Sequence, residues 1–276
     1  MDRQSQIDKA HAFRDMHDRN SILLLPNAWD AGSARLFAQR GFAAVATTSG
    51  GVAWSLGCAD GEQAPVAEVV AAIARITRVV DVPVTADIEA GYGDTPAAVG
   101  DTVRAVIEAG AVGVNLEDGR HDGLRGCAEA AERIAGARAA ATAAGVPIVI
   151  NARVDCWITP AADETVRFAD AVRRARAYLA AGADCIYPIG LGDPAVLAAL
   201  VKTIDAPVNV GARPGMPGLA ELARIGVARV STATRFAAIA LGAVDQAAQA
   251  MRASGGFDSL APSLSHADVQ KLFVHG

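Results

Sequence analysis

The chain is poor in the side chains that most covalent chemistry uses. Its 276 residues include three lysines (Lys9, Lys202, Lys271), five histidines (His11, His17, His121, His266, His275) and four cysteines (Cys58, Cys127, Cys156, Cys185). The cysteines are scattered, with no C-x-x-C pair, which argues for free thiols in a reducing compartment over disulfides or a thiolate zinc site. Aromatic residues make up 5%, and 25 Lys+Arg against 30 Asp+Glu leave a net charge of −5 with no basic run. That balance speaks against nucleic-acid and anionic-membrane partners. No apolar run approaches the roughly 20 residues of a membrane span. The first residues, MDRQSQIDKAHAFRDMHDRN, are charged and lack the apolar core of a signal peptide, so a cytoplasmic location is expected. No G-x-G-x-x-G follows the first apolar run, which disfavours a dinucleotide-binding sheet.

What the chain does have is a repeated alternation of elements. Nearly continuous apolar runs occur at Ser21–Ala28, Ala43–Gly50, Val82–Ala90, Val112–Asp118, Val146–Asp155, Asp184–Gly190, Ala206–Arg213 and Val227–Thr234. Such runs suit parallel strands buried on both faces. Between them lie amphipathic segments, among them Pro65–Val80, Pro96–Ala109, Ala128–Ala144 and Glu164–Ala181, and several end in a glycine such as Gly41, Gly110, Gly145, Gly182 or Gly226. A glycine there is the stop signal of a helix returning to a strand. The repeated unit predicts an α/β fold, a (β/α)8 TIM-type barrel, as a single domain over residues 1–276. An extra helix is expected before the first strand (Ser5–Arg19) and another after Pro262 (Ser263–Val274).

In such a barrel the chemistry sits at the C-terminal ends of the strands. Asp87 and Glu89 end the third run and, two apart in a strand, share a face; Glu117 ends the fourth. Three convergent carboxylates repel unless a cation or proton is shared, and an all-oxygen set favours Mg²⁺ or Mn²⁺. The alternative is that these acids cap helices or pair with barrel arginines. No lysine falls at a strand end, which disfavours a Schiff-base aldolase, and only His121 lies near one, which disfavours a multi-histidine zinc site. A carbonyl-directed barrel so composed needs a metal as its Lewis acid. Arg153, ending the fifth run, reads as a carboxylate anchor or as an internal ion pair with Asp87 or Glu117. Ser49-Gly50-Gly51 reads as an oxyanion nest or simply a tight turn. Cys156 and Cys185 read as buried thiols. His121 reads as a proton donor or a solvated loop residue.

These residues resemble the isocitrate lyase/phosphoenolpyruvate mutase superfamily. The matching stretches are LLLPNAWDAGSARLFAQRGFAAVATTSGG, the Asp60 of LGCADGE, VTADIEAGYG, GVNLEDG, INARVD and GADCIYPIGL, in order from Leu23 to Leu191, with a weaker match through PVNVGARPG. The resemblance implies a Mg²⁺-binding barrel whose last helix is exchanged between subunits, often in a dimer of dimers. It implies that Asp87 is the direct metal ligand, that Glu89 and Glu117 hold metal waters, and that Asp60 lies near the metal. It implies that Ser49, Gly50 and Gly51 hold the oxo-acid end of the substrate, Arg153 its carboxylate, and that Asn209 is a substrate-side asparagine. The departures lie in the loop after Glu117. The K-[KR]-C-G-H motif of the lyases is absent from Gly119–Cys127, so Cys127 takes no catalytic role, and the loop lysine and asparagine of the phosphonate enzymes are also missing.

The resulting expectation is an enzyme: a Mg²⁺-dependent carbon–carbon lyase or decarboxylase acting on a small 2-oxo or hydroxy di-acid through an enolate, in a homo-oligomer. The alternatives are a phosphonate P–C bond mutase or hydrolase, with Arg120 or Arg125 in place of the loop lysine, and a non-catalytic oxo-acid-binding barrel.

Overall fold

A computed structural model describes residues 2–19, 21–160 and 163–274. Among them eight parallel strands close a barrel in chain order. They are β1 (Leu23–Leu25 and Asn27–Ala28), β2 (Val45–Thr47), β3 (Val84–Asp87), β4 (Gly113–Glu117), β5 (Val149–Val154), β6 (Cys185–Pro188), β7 (Asn209–Gly211) and β8 (Arg229–Ser231). Pro26 splits β1, because proline has no N–H to give the ladder. The first half pairs with β8 and the second with β2, so one strand closes the ring. Between β6 and β7 the ring is joined through the Ile186–Val208 bridge. The strands are shorter than their apolar runs, because the ends of each run leave the ladder to build loops.

The helices follow in alternation. They are α1 (Arg3–Asp15), α2 (Ala31–Gln39), α3 (Ser49–Ser55), α4 (Val66–Arg78), α5 (Pro96–Glu108), α6 (Cys127–Ala144), α7 (Glu164–Ala180), α8 (Pro194–Ile204), α9 (Leu219–Ile225), α10 (Arg235–Ser254) and α11 (His266–Lys271). Local chemistry sets their ends. Asp30 and Ser33 form a reciprocal capping box at the start of α2, Thr95 caps α5 ahead of Pro96, and Gly145 closes α6 at φ 70°. The two flanking helices are shorter than expected, Arg3–Asp15 against Ser5–Arg19 and His266–Lys271 against Ser263–Val274.

Helix α1 plugs the N-terminal end of the barrel. Phe13 is fully buried, and the Gln6 Nε2 amide donates to the carbonyls of Ile107 (2.7 Å) and Ala111 (3.0 Å). Gly113 makes room for the plug, since a Cβ there would stand 2.8 Å from the Phe13 ring. With that end closed, the opposite mouth is where a ligand enters. Among the described residues no helix is long and apolar enough to cross a membrane.

Candidate active site

The strand ends converge on a cavity of about 230 Å³. Asn27 from β1, Asp87 from β3, Asn115 from β4, Arg153 from β5, Tyr187 from β6 and Ser231 from β8 line it, together with Ser49 at the start of α3 and Asp60 from the loop that follows that helix. A second cavity of about 640 Å³ adjoins it, lined by Glu89, Glu117, Arg120, His121, Arg125 and Asp155 among others. Asp60 and Arg153 line both.

Asp87 is the last residue of β3. Its backbone N–H donates to Thr47 Oγ1 (2.8 Å), and its Oδ2 accepts from the Ser49 N–H (3.1 Å). Burial pushes its pKa up, with Arg153 and Ser49 pulling it back and Asp60 adding to the rise. Glu117 ends β4 directly opposite Arg153 in the β4–β5 register, and its Oε2 lies 2.5 Å from Arg153 Nη1. Burial holds Glu117 well above the usual carboxylate range, although Arg153 opposes the rise. The other edge of Arg153 is taken by Asp155: Nε and Nη2 each donate to one carboxylate oxygen at 2.7 Å. The internal ion pair is therefore the arrangement present, made with Glu117 and with Asp155, which the sequence did not single out.

Glu89 departs from the period-two argument. It lies beyond the end of β3 with φ at 51°, a left-handed turn that carries its side chain to the adjoining cavity, away from that of Asp87. Its Oε1 accepts from the Tyr92 hydroxyl and its Oε2 from the Glu62 N–H, both at 2.6 Å, while the Tyr92 N–H donates to Glu62 Oε1 at 2.6 Å. Burial raises the Glu89 pKa against these bonds. Glu62 and Tyr92 are also left-handed, at 57° and 53°. No periodicity marks this clamp; Tyr92 lay within the quoted D-I-E-A-G-Y-G segment without a role.

Three further expectations are corrected. Ser49-Gly50-Gly51 is not a free turn but the first turn of α3, and the Ser49 N–H already serves Asp87. A Cβ on Gly50 would meet Asp60 Oδ2 at 3.0 Å, so Gly50 lets that loop approach the site. Gly51 faces the other way, against Trp29, Thr48 and Ala237, because successive helix residues point about 100° apart. Asn209 is fully buried below the cavity, its Nδ2 donating to Ser231 Oγ (3.1 Å), and Ser231 takes the lining position. His121 lines the adjoining cavity, beside Glu117, and not the one that holds Asp87. It stands in the turn of a short antiparallel hairpin, Gly119–Arg120 with Gly123–Leu124, within the loop after Glu117. Cys156 and Cys185 are buried, and burial pushes both thiols up to about 12, so neither is a nucleophile near neutral pH.

The donor chemistry fits a hard divalent cation. Asp60, Asp87, Glu89 and Glu117 are all oxygen donors, and Asp87 and Glu117 are buried with raised pKa values that a cation would reverse. Among the described residues no three His, Cys, Asp or Glu side chains stand together as a ligand cluster. The set therefore suits an ion that keeps most of its water and takes one or two carboxylates, as Mg²⁺ does. Asp87 would hold it and Asp60 and Glu117 would accept from its waters, whereas Glu89, expected in that role, faces the adjoining cavity with its oxygens bonded to Tyr92 and Glu62.

A (β/α)8 barrel with buried carboxylates and an arginine gathered at its strand ends is the architecture of a barrel enzyme. The chain belongs to the phosphoenolpyruvate phosphomutase family, which matches residues 13–252, within the phosphoenolpyruvate mutase/isocitrate lyase superfamily. It is 30% identical over 210 residues to the 2-methylisocitrate lyase of Escherichia coli K12, covering 71% of this chain and 67% of that one. A Burkholderia cenocepacia J2315 structure provisionally described as a lyase/mutase superposes with a TM-score of 0.90 at 39% identity, over 99% of this chain and 98% of that one. A phosphonopyruvate hydrolase in complex with oxalate and Mg²⁺ superposes with a TM-score of 0.83 at 26% identity, over 96% and 94%. The chain is accordingly an enzyme.

Proposed function

We propose that this enzyme is a Mg²⁺-dependent carbon–carbon lyase or decarboxylase acting on a small 2-oxo or hydroxy di-acid through an enolate. The observation that carries the reading is the single small cavity that Asp87, Asp60, Arg153 and Tyr187 share. Its volume of about 230 Å³ suits a compact di-acid and is too small for a dinucleotide. Asp87 would hold the cation, with Asp60 beside it in the same cavity and Glu117 on the adjoining side. When bound, Mg²⁺ supplies the Lewis acid that polarises the 2-oxo group.

The chain's own residues do the rest. A guanidinium carries five N–H donors, and the contacts with Asp155 and Glu117 take three, leaving two of Arg153 for a substrate carboxylate. Burial raises the Tyr187 hydroxyl, so it stays protonated and offers an O–H donor inside the cavity. Gly211 leaves room for it, since a Cβ there would stand 2.7 Å from the Tyr187 oxygen. Loss of CO₂ from an ionised carboxylate creates an enolate, whereas release of an aldehyde also requires a base for the carbinol proton, a role open to Asp60 on the cavity wall. In either case the enolate carbon takes its proton from Tyr187 in the cavity or from His121 on the loop side. Phosphonate chemistry is the second reading. It is favoured by one feature, the cationic Arg120 and Arg125 on the wall of the adjoining cavity.

Calorimetric titration with MgCl₂ and MnCl₂, with and without oxaloacetate, tests the proposal beside assays for CO₂, aldehyde and phosphate. Divalent-ion binding strengthened by the oxo acid, with CO₂ or aldehyde release, is the expected result. Asp87→Asn should abolish most of the ion binding and lower turnover by about 10³-fold, roughly 4 kcal/mol of transition-state stabilisation. Phosphate release from a phosphonate would move the assignment to the second reading. Wild type that binds no divalent ion under either condition would overturn both.

A further inference from the structure

The arginine of the cavity does not stand alone. Asp155, which grips its Nε and Nη2, is 2% exposed and opens the 3₁₀ turn that follows β5. The Asp155 backbone N–H donates to Asp118 Oδ1 at 2.9 Å. The other Asp118 oxygen accepts from the Tyr178 hydroxyl (2.5 Å) and from Arg174 Nη1 (3.0 Å). Arg174 and Tyr178 lie four apart on α7, so one face of that helix holds Asp118 from both sides. Arg174 Nη1 also donates to the Arg125 carbonyl (2.9 Å), and the Arg125 N–H donates to the Asp118 carbonyl (2.9 Å). The C-terminal end of the loop after β4 is thereby tied to the same carboxylate.

Gly119 supplies an independent observation. A Cβ at that position would lie 2.6 Å from Asp155 Oδ2. The absence of a side chain at Gly119 is therefore what lets the Asp155 carboxylate reach across to Arg153. Asp118, Arg174 and Tyr178 line neither cavity at the strand ends, yet the chain of contacts they begin ends on a guanidinium that lines both.

We infer that Asp155 is a positioning residue for Arg153, itself held by the buried Asp118–Arg174–Tyr178 lock, so that the direction of the arginine is set from outside the cavity. A guanidinium binds a carboxylate through a planar fork, so its orientation matters as much as its charge. Held at Nε and Nη2 by Asp155 and at Nη1 by Glu117, the group cannot swing, and its remaining two N–H bonds point in one set of directions. The inference rests on the proposal that Arg153 receives a substrate carboxylate.

The test uses two full-length variants that reach Arg153 by different routes. Asp155→Asn removes the bidentate partner. Gly119→Ala keeps every charge and displaces the Asp155 carboxylate. Oxalate is the probe, titrated calorimetrically in MgCl₂, with MgCl₂ alone titrated in parallel and thermal unfolding followed for each protein. Both variants should bind oxalate about tenfold more weakly while Mg²⁺ affinity changes by less than about twofold. A merely structural role would weaken both ligands and lower the melting temperature together. Oxalate affinity unchanged or tightened in folded Gly119→Ala and Asp155→Asn would overturn the inference, since Asp155 would then be a competitor for the arginine. If either variant fails to fold, Tyr178→Phe removes one bond of the lock and should weaken oxalate about threefold; no change would count against it. Wild type that binds no oxalate would sink the oxo-acid reading. The crystal structure of Asp155→Asn then decides this one, with a displaced Arg153 guanidinium supporting it and an unmoved one overturning it.

Discussion

His17 shows how burial sets the behaviour of one residue far from the site. Its Nδ1 is 2.8 Å from the Phe13 carbonyl, its ring meets that of Phe13 edge-on at 4.8 Å, and Nε2 has no hydrogen-bond partner among the described residues. Burial lowers its pKa from 6.5 to about 4, and the nearby Arg229 cation adds to the fall. The unfolded chain therefore binds a proton that the folded one refuses between about pH 6.5 and 4. Stability from this group is complete above pH 6.5 and is lost as the pH falls toward 4, in total about 3 kcal/mol. Asp87, Glu89, Glu117 and Asp118 act in the opposite sense: burial raises all four, so the folded protein keeps protons the unfolded chain has released, and stability falls as the pH rises above about 4. Urea unfolding of wild type and His17→Gln across pH 4 to 7 separates the two contributions. The wild-type curve should drop more steeply by about 3 kcal/mol, and parallel curves would show that His17 is not held neutral.

Among the elements, the segment from Gly119 to α6 is the one that lacks the loop motifs the resemblance would supply. The lyase motif that would place a reactive thiol there is missing, and Cys127 is instead the first residue of α6, buried and lining neither cavity. Cys127→Ser should retain most of the activity measured by CO₂ or aldehyde release. A fall of about a thousandfold with folding intact would mean that the helix start moves into the site during turnover. Amphipathic spacing made α4, α5 and α7 legible to within two residues of their ends, and alanine content with the Gly145 stop did so for α6. The same signals could not show that Ser49–Gly51 opens a helix, because a seven-residue helix holds too few turns for periodicity to appear.

For the whole molecule, α10 is the element the single chain leaves unsatisfied. Its 20 residues bury one side chain, Ala237, and leave Phe236, Ile239, Leu241 and Val244 exposed. Beyond it the chain returns, Leu272 is buried, and the Arg35 guanidinium donates to the Leu272 carbonyl, so the tail docks on α2, which α10 meets at its start through the Phe236 and Phe37 rings, 5.0 Å apart. A helix with that much apolar surface gains stability by covering it. Light scattering at micromolar concentration should therefore report a dimer or larger, and Ile239→Glu with Val244→Glu should shift it toward monomer. A well-folded wild-type monomer would reject the helix exchange that the resemblance implies.

The sequence by itself determined the alternation of strand and helix, the barrel, and the placing of Asp87, Glu117 and Arg153 at strand ends, because each of these follows from local periodicity and from where glycine stops a helix. Only the tertiary structure decided which way the side chains at those ends face. Glu89 was assigned to the face of Asp87 by strand alternation, and a left-handed backbone turned it into the neighbouring cavity. Arg153 was open between anchor and ion pair. The β4–β5 register set Glu117 across from it, and the space above Gly119 admitted Asp155. Asn209 and Gly51 occupied the expected positions along the chain but not in space, one beneath the cavity and the other turned from it. Periodicity describes neighbours along the chain, whereas the direction of a buried charge is set by partners that are distant in sequence and meet only when the barrel closes.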